Sequence, residues 1–183
     1  MRLFIAIDIP ESIKKQLAGI LVLLQKNTAF DGRFVAVNQL HITLLFLGSV
    51  SEEIFKKIDK VLSDIRYQSL NACIGQLGIF EKKDIPRIIY CSVDVPDLAE
   101  LVSIIREKVA SWVKLDIHSP FMSHVTLVRI THMYNRKQLY EGVQRITFAP
   151  LSFSINQFVL KESVLSSQGS LHYERKAYPL HIS

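Results

Sequence analysis

From Leu3 to Ile9 the branched aliphatic residues Leu3, Ile5, Ile7 and Ile9 fall on one side and Phe4, Ala6 and Asp8 on the other. That period of two predicts a β-strand. After Pro10-Glu11-Ser12 the period changes. Ile13, Leu17, Ile20, Leu21 and Leu24 form one stripe of an amphipathic helix. Asp31-Gly32 reads as a turn and Arg33-Phe34-Val35 as a short strand. An apolar run through LHITLLFLG predicts a longer strand ending at Gly48. Ser51 is a good N-cap, and Glu52 and Glu53 suit the positive end of the helix whose stripe is Ile54, Ile58, Val61, Leu62 and Ile65. Ser69 to Phe80 reads as one strand with an interruption at Gly75 or Gly78, and Glu81 to Pro86 as a polar connection.

The pattern then starts again. Ile88 to Val95 is strand-like, and Leu98, Leu101, Val102, Ile105, Val109 and Trp112 make a helical stripe. Ser119-Pro120 leads into SHVTLVRI, a second strand of mixed character, and a short helix is expected from Arg136 to Val143. Ser152 to Lys161 and Leu171 to Leu180 read as strands paired around a turn at Ser166 to Ser170. The intervals are nearly constant: 85 residues from Leu3 to Ile88, 85 from Ser12 to Asp97, 83 from His41 to His124. An architectural repeat is therefore expected. Alternating strands and helices with short links predict an α+β or α/β fold, with antiparallel pairing on at least one open face.

What the halves share chemically is a signature: His41-Ile42-Thr43-Leu44 and His124-Val125-Thr126-Leu127. In a strand, residues i and i+2 share a face. Each copy thus presents an imidazole and a hydroxyl together, with Ile42 and Leu44, or Val125 and Leu127, on the opposite side. One H-x-T in a strand is usually structural; two copies in step with a repeat are not so readily explained that way. If the halves pack about a pseudo-twofold axis, two imidazoles and two hydroxyls converge. Imidazole titrates near neutral pH, with a pKa of about 6.5, so one ring can serve as base and the other as acid. Threonine hydroxyls can hold anionic oxygens. Phosphoester cleavage calls for that set. A zinc site fits less well: it needs three or four ligands, threonine is a poor one, and no Asp, Glu or Cys adjoins either histidine. No metal and no cofactor are expected.

Composition sets limits. The 183 residues, 49% hydrophobic, suffice for one domain with a sizeable core. A net charge of +5 is compatible with an anionic partner such as RNA without requiring one. Cys73 and Cys91 have no metal-ligand spacing and read as free thiols in a reducing compartment. Neither a signal peptide nor a membrane span is apparent, so a cytoplasmic protein with no membrane partner is expected.

The chain resembles the 2H phosphoesterase superfamily, within it the RNA 2′,3′-cyclic phosphodiesterase branch, also called 2′-5′ RNA ligase. The resemblance is carried by RLFIAIDIP, RFVAVNQLHITLLFLGSV, PRIIYCSV, FMSHVTLVRI and LKESVLSSQGSLHYERKAYPL. It implies a bilobal fold of two related halves, approximately 1–85 and 86–183, with strands able to exchange between them, around a central cleft. It implies metal-independent opening of a 2′,3′-cyclic phosphate at an RNA or oligonucleotide end to a 2′-phosphate, with 2′-5′ ligation as a reversal of related chemistry. His41 would be the proton donor, His124 the proton acceptor, and Thr43 and Thr126 the phosphate holders. Arg129 matches an arginine common after the second signature, but strand parity directs it to the other face unless a bulge intervenes. Leu45 stands where the family often has Lys, on the His41 face by parity, and Ser123 replaces a usual Pro. Phe4, Tyr90, Phe34, Phe121 and Tyr173 are candidate stacking aromatics; Phe4 and Tyr90 are retained as candidate substrate-binding residues. His118, His132, His172 and His181, lacking a Thr at i+2, read as surface or structural. A monomer is expected. The rival readings are another 2H activity on a small cyclic phosphate such as ADP-ribose 1″,2″-cyclic phosphate, and an RNA-binding module with a silent cleft.

Overall fold

The computed structural model describes residues 1–115, 121–166, 169–181. The fold is α+β, as the pattern predicts. Its strands are β1 (Arg2–Asp8), β2 (Phe30–Phe34), β3 (His41–Ser49), β4 (Leu70–Lys82), β5 (Ile85–Asp94), β6 (His124–Met133), β7 (Leu151–Ile155), β8 (Gln157–Ser166) and β9 (Gly169–Pro179). Its helices are α1 (Glu11–Gln25), α2 (Glu52–Ser63), α3 (Leu98–Val109) and α4 (Arg136–Gln144). The nine strands form one sheet in the order β7-β4-β5-β6-β3-β1-β8-β9, with β2 paired to β6. All of these pairings are antiparallel.

The order is symmetric about the β3–β6 contact. On one side lie β1, β8 and β9; on the other β5, β4 and β7. β4, from the first half of the chain, pairs with β5, while β8, from the second, pairs with β1. The apolar helix stripes pack on one face of the sheet. Ile13, Leu17, Ile20, Leu21 and Leu24 of α1 and Leu98, Leu101, Val102, Ile105 and Val109 of α3 join Leu3, Ile5, Ile7, Ile42, Leu44, Val125 and Leu127 in the main core. The other face of β1 carries only a small apolar cluster, Phe4 and Ala6 with Val159.

Three local expectations are corrected. Asp31-Gly32 is not a turn but the middle of β2, at a register shift against β6. Gly32 permits a close approach there: a Cβ would lie 2.7 Å from Val128 Cγ1 and 3.0 Å from the Arg129 carbonyl oxygen. The Glu81–Pro86 connection is tighter than expected, because Lys83 and Asp84 both adopt the left-handed conformation of a two-residue hairpin turn, at φ 53° and 58°. Ser152 to Lys161 is two strands, broken at Asn156; β7 pairs with β4 and β8 with β1. Ser119-Pro120 and His118 lie outside the described residues.

Gly32→Ala should therefore cost roughly 1–3 kcal/mol of stability through overpacking against β6. Urea denaturation of both proteins checks this.

Candidate active site

β3 and β6 touch through a single register pair, Ile42 with Val125. Both side chains are fully buried. In an antiparallel pair the flanking positions also face each other, so His41 stands opposite Thr126 and Thr43 opposite His124. The two signatures thus form one compact diamond, imidazoles on one diagonal and hydroxyls on the other. All four side chains are half-buried. Two depressions, of about 370 and 160 Å³, lie elsewhere, one beside Cys73 and Ser152 and one beside Leu77 and Val143. The diamond itself is an open site on the sheet face away from the helices.

Each ring is oriented by the backbone two residues upstream. His41 Nδ1 lies 2.7 Å from the Gln39 carbonyl oxygen, and His124 Nδ1 lies 2.8 Å from that of Met122. Since a carbonyl only accepts, Nδ1 carries hydrogen in both rings, and Nε2 is the nitrogen free for chemistry. His41 Nε2 is 3.1 Å from Thr43 Oγ1. When the ring is neutral, Thr43 donates this bond.

The strands do not run on as regular ribbons. Along β3, Ala6 faces Thr43 but Ile5 faces Leu45, leaving Leu44 as an extra residue. Along β6, Tyr90 faces Thr126 but Ile89 faces Val128, leaving Leu127 extra. These are matching β-bulges, and each reverses the parity of the residues beyond it. Arg129 therefore shares the face of His124 and Thr126, and it is exposed. Leu45, expected beside His41, instead points into the core at 5% exposure, so a lysine missing there takes no cation from the site face. Phe46, the counterpart of Arg129, is on the site face at 64% exposure; strand parity alone does not bring it forward as a candidate. The apolar doublets Leu44-Leu45 and Leu127-Val128, each breaking strict alternation, are the signal that could have done so.

The two imidazoles have different surroundings. The His41 ring lies 5.2 Å from Phe4 and 5.1 Å, edge-on, from His172. Phe4 is 2% exposed and contacts His172 as well, at 4.8 Å, so it forms a floor under both rings rather than a free stacking face. His172, expected to be surface or structural, is brought to the site by the pairing of β9 with β8, and nothing in its local sequence announces this. Gln39 fastens it, accepting from the His172 N–H at 2.8 Å and donating to its carbonyl at 3.4 Å. His132 and His181 are exposed, in keeping with the surface reading. Asp8, the neighbour of His41 on β1, is ion-paired with Lys161, which is only 6% exposed. His124 instead neighbours Ser92. Its ring meets Phe80 edge-on at 4.9 Å and Tyr90 at 5.7 Å. Tyr90 stacks on Phe80 at 3.9 Å, and lies across Gly78, where a Cβ would be 2.5 Å from the ring. Phe34 and Phe121 pack against the core. Tyr173, one residue from His172 on β9, faces the opposite side of the sheet.

Burial pushes His41 down from 6.5 to about 4; the Gln39 carbonyl opposes the shift, while His172 and Lys161 reinforce it. His172 is also lowered, by burial first and then by the Lys161 and Arg129 charges. Burial raises the Cys91 thiol to about 12, as befits an inert core residue. Among the described residues, no group of three or more His, Cys, Asp and Glu side chains is placed to hold a metal ion. No described helix is long and apolar enough to cross a membrane.

A family model described as LigT like Phosphoesterase matches residues 7–90. An Escherichia coli protein named RNA 2′,3′-cyclic phosphodiesterase is 31% identical over 171 residues, covering 88% of this chain and 86% of the relative. One from Aeropyrum pernix, of the same name, is also 31% identical, covering 88% of this chain and 97% of its own length. The chain belongs to the LigT-like phosphoesterase family. Among solved structures, E. coli LigT complexed with 3′-AMP superposes with a TM-score of 0.79 at 26% identity, covering 98% of this chain and 97% of that one. A Thermus thermophilus protein shares the fold at a TM-score of 0.79 and 21% identity, covering 98% and 97%.

The low value for His41 has a consequence for stability. A neutral imidazole buried in the folded state and titrating at 6.5 when unfolded stabilises the protein fully above pH 6.5. That stability is lost as pH falls towards about 4. The loss is roughly 3 kcal/mol in order of magnitude. His41→Gln should flatten the pH dependence of unfolding free energy between pH 6.5 and 4, measured by denaturant titration at several pH values; an unchanged slope would contradict the burial.

Proposed function

We propose that the protein opens 2′,3′-cyclic phosphate ends of RNA or oligonucleotides to 2′-phosphates by paired-histidine acid–base catalysis. The observation that carries this reading is the Ile42–Val125 register, which brings both signatures onto one small patch. The names of the full-length relatives support it.

The phosphorus sits over the diamond, between the two Nε2 atoms. A water oxygen attacks phosphorus as the bond from phosphorus to the 3′ oxygen breaks. His124 Nε2 takes the water proton, and His41 Nε2–H gives its proton to the departing 3′ oxygen. The products are a 2′-phosphomonoester and a free 3′ hydroxyl, and the two rings end with their protonation states exchanged. Thr43 and Thr126 donate to the non-bridging oxygens. Arg129, brought to the site face by its bulge, offsets phosphate charge. Phe46 offers an exposed ring on which a base can stack. Two imidazoles supply both proton transfers, so no step calls for a metal.

His41 is neutral at pH 7 in the free site, so the donor must gain its proton as substrate binds. The low dielectric that disfavours an isolated imidazolium strengthens its attraction to a phosphate anion. Binding of a nucleoside 2′-monophosphate should thus take up a proton and weaken as pH rises above neutrality. Calorimetry in buffers of different ionisation enthalpy measures that uptake.

The direct test is phosphorus NMR of a 2′,3′-cyclic nucleotide incubated with the protein. A 2′-phosphate should form, at a rate indifferent to EDTA. His41→Ala and His124→Ala should each reduce turnover by ~10²–10⁴-fold while keeping the native circular dichroism spectrum. Full turnover in both variants would refute the proposal, and binding of RNA without product would favour the silent module.

A further inference from the structure

Each signature histidine is met edge-on by a second ring. At His124 that ring is Phe80, at 4.9 Å; at His41 it is His172, at 5.1 Å. Packing in this place is thus satisfied by carbon. The imidazole of His172 brings two nitrogens that packing does not require. Its Nδ1 is buried without a hydrogen-bond partner, and the ring makes no hydrogen bond to any described residue. Leaving a buried polar atom unpaired costs stability. Buried N–H groups without an acceptor are rare. The hydrogen of the neutral ring is therefore assigned to Nε2, the nitrogen on its open edge.

The other groups around His41 are already spent. Phe4 is apolar, and Asp8 and Lys161 are paired with each other. Both polar atoms of the Gln39 side chain hold the His172 backbone, while the Gln39 carbonyl holds His41 Nδ1. Gln39 thereby fixes the two rings relative to each other. Burial first, and then the Lys161 and Arg129 charges, lower His172 from its ordinary value, with Asp8 opposing, so the ring is neutral at pH 7. His172 stands beside His41 as a neutral ring with one N–H unspent.

The geometry points to His172 as the second half of a subsite for the departing 3′ oxygen, its Nε2–H donating to that oxygen while His41 protonates it. This rests on the proposed function for the identity of the leaving group. As the bond from phosphorus breaks, the 3′ oxygen takes the electron pair and His41 supplies the proton; His172 gives up none. His41 Nε2 is then bare and, with Thr43 turned to the phosphate, accepts from the new 3′ hydroxyl. His172 donates to the same oxygen. One acceptor and one donor complement a hydroxyl. A site built in this way rejects an analogue that lacks the hydroxyl, because its own polar groups are left unpaired.

The test is calorimetric binding of adenosine 2′-monophosphate and its 3′-deoxy counterpart at neutral pH. The protein should bind the first about tenfold more tightly, the worth of one well-placed hydrogen bond. His172→Phe keeps a ring of the kind found beside His124, and should fold normally by circular dichroism. In it the preference should shrink to about twofold or less, with the loss falling on the hydroxylated ligand. His172→Gln, whose amide nitrogen keeps a donor, should restore most of the preference. Equal affinities in the unaltered protein, an unchanged preference in His172→Phe, or no recovery in His172→Gln would overturn the subsite. Binding is read without turnover. A protein that opens no cyclic phosphate but shows the preference and its loss would refute the catalytic reading alone, and one that turns over with no preference would refute the subsite alone.

Discussion

One backbone bridge, between Ile42 and Val125, is the contact on which the arrangement of the two signatures depends. It joins the two halves of a nine-stranded sheet. Burying each of these side chains stabilises the protein by about 1.5–3 kcal/mol. Because side chains alternate along a strand, burying Ile42 and Val125 on the helix side obliges their neighbours to stand on the open side. A shift of one residue in either strand would turn one histidine into the core. The same apolar packing that holds the halves together thus aims four polar groups at a common point.

The paired bulges at Leu44 and Leu127 give the sheet its second structural property. Each inserts one extra apolar residue and so returns the residue after the doublet to the open face. In one half that residue is Phe46 and in the other Arg129, with opposite chemistry at equivalent places. The surroundings of the histidines diverge in the same way. His41 is enclosed by Phe4, His172 and the Asp8–Lys161 pair, whereas His124 meets Phe80, Tyr90 and Ser92. A symmetric backbone with asymmetric side chains is what a reaction with one acid and one base needs.

Much of this is legible in the sequence, for identifiable reasons. The strands and amphipathic helices follow from periods of two and 3.6, which burial enforces residue by residue, and the duplicated H-x-T is visible because it is local. Parity misplaces Leu45 and Arg129, since one inserted residue reverses it; the apolar doublets mark the insertion. His172 cannot be found in this way. It belongs to the site through β9 pairing with β8 and β8 with β1, which carry it to a histidine more than a hundred residues away in sequence. The break at Asn156, which sends β7 and β8 to opposite halves of the sheet, is likewise set by partners and not by local pattern.

The convergence of two imidazoles on one phosphorus atom is most directly tested by a crystal structure with a nucleoside 2′-monophosphate bound. The phosphate should sit over the Ile42–Val125 bridge, within hydrogen-bonding distance of Nε2 of both His41 and His124, with the hydroxyls of Thr43 and Thr126 on its remaining oxygens. A phosphate held by one histidine alone, or bound away from both, would contradict the account.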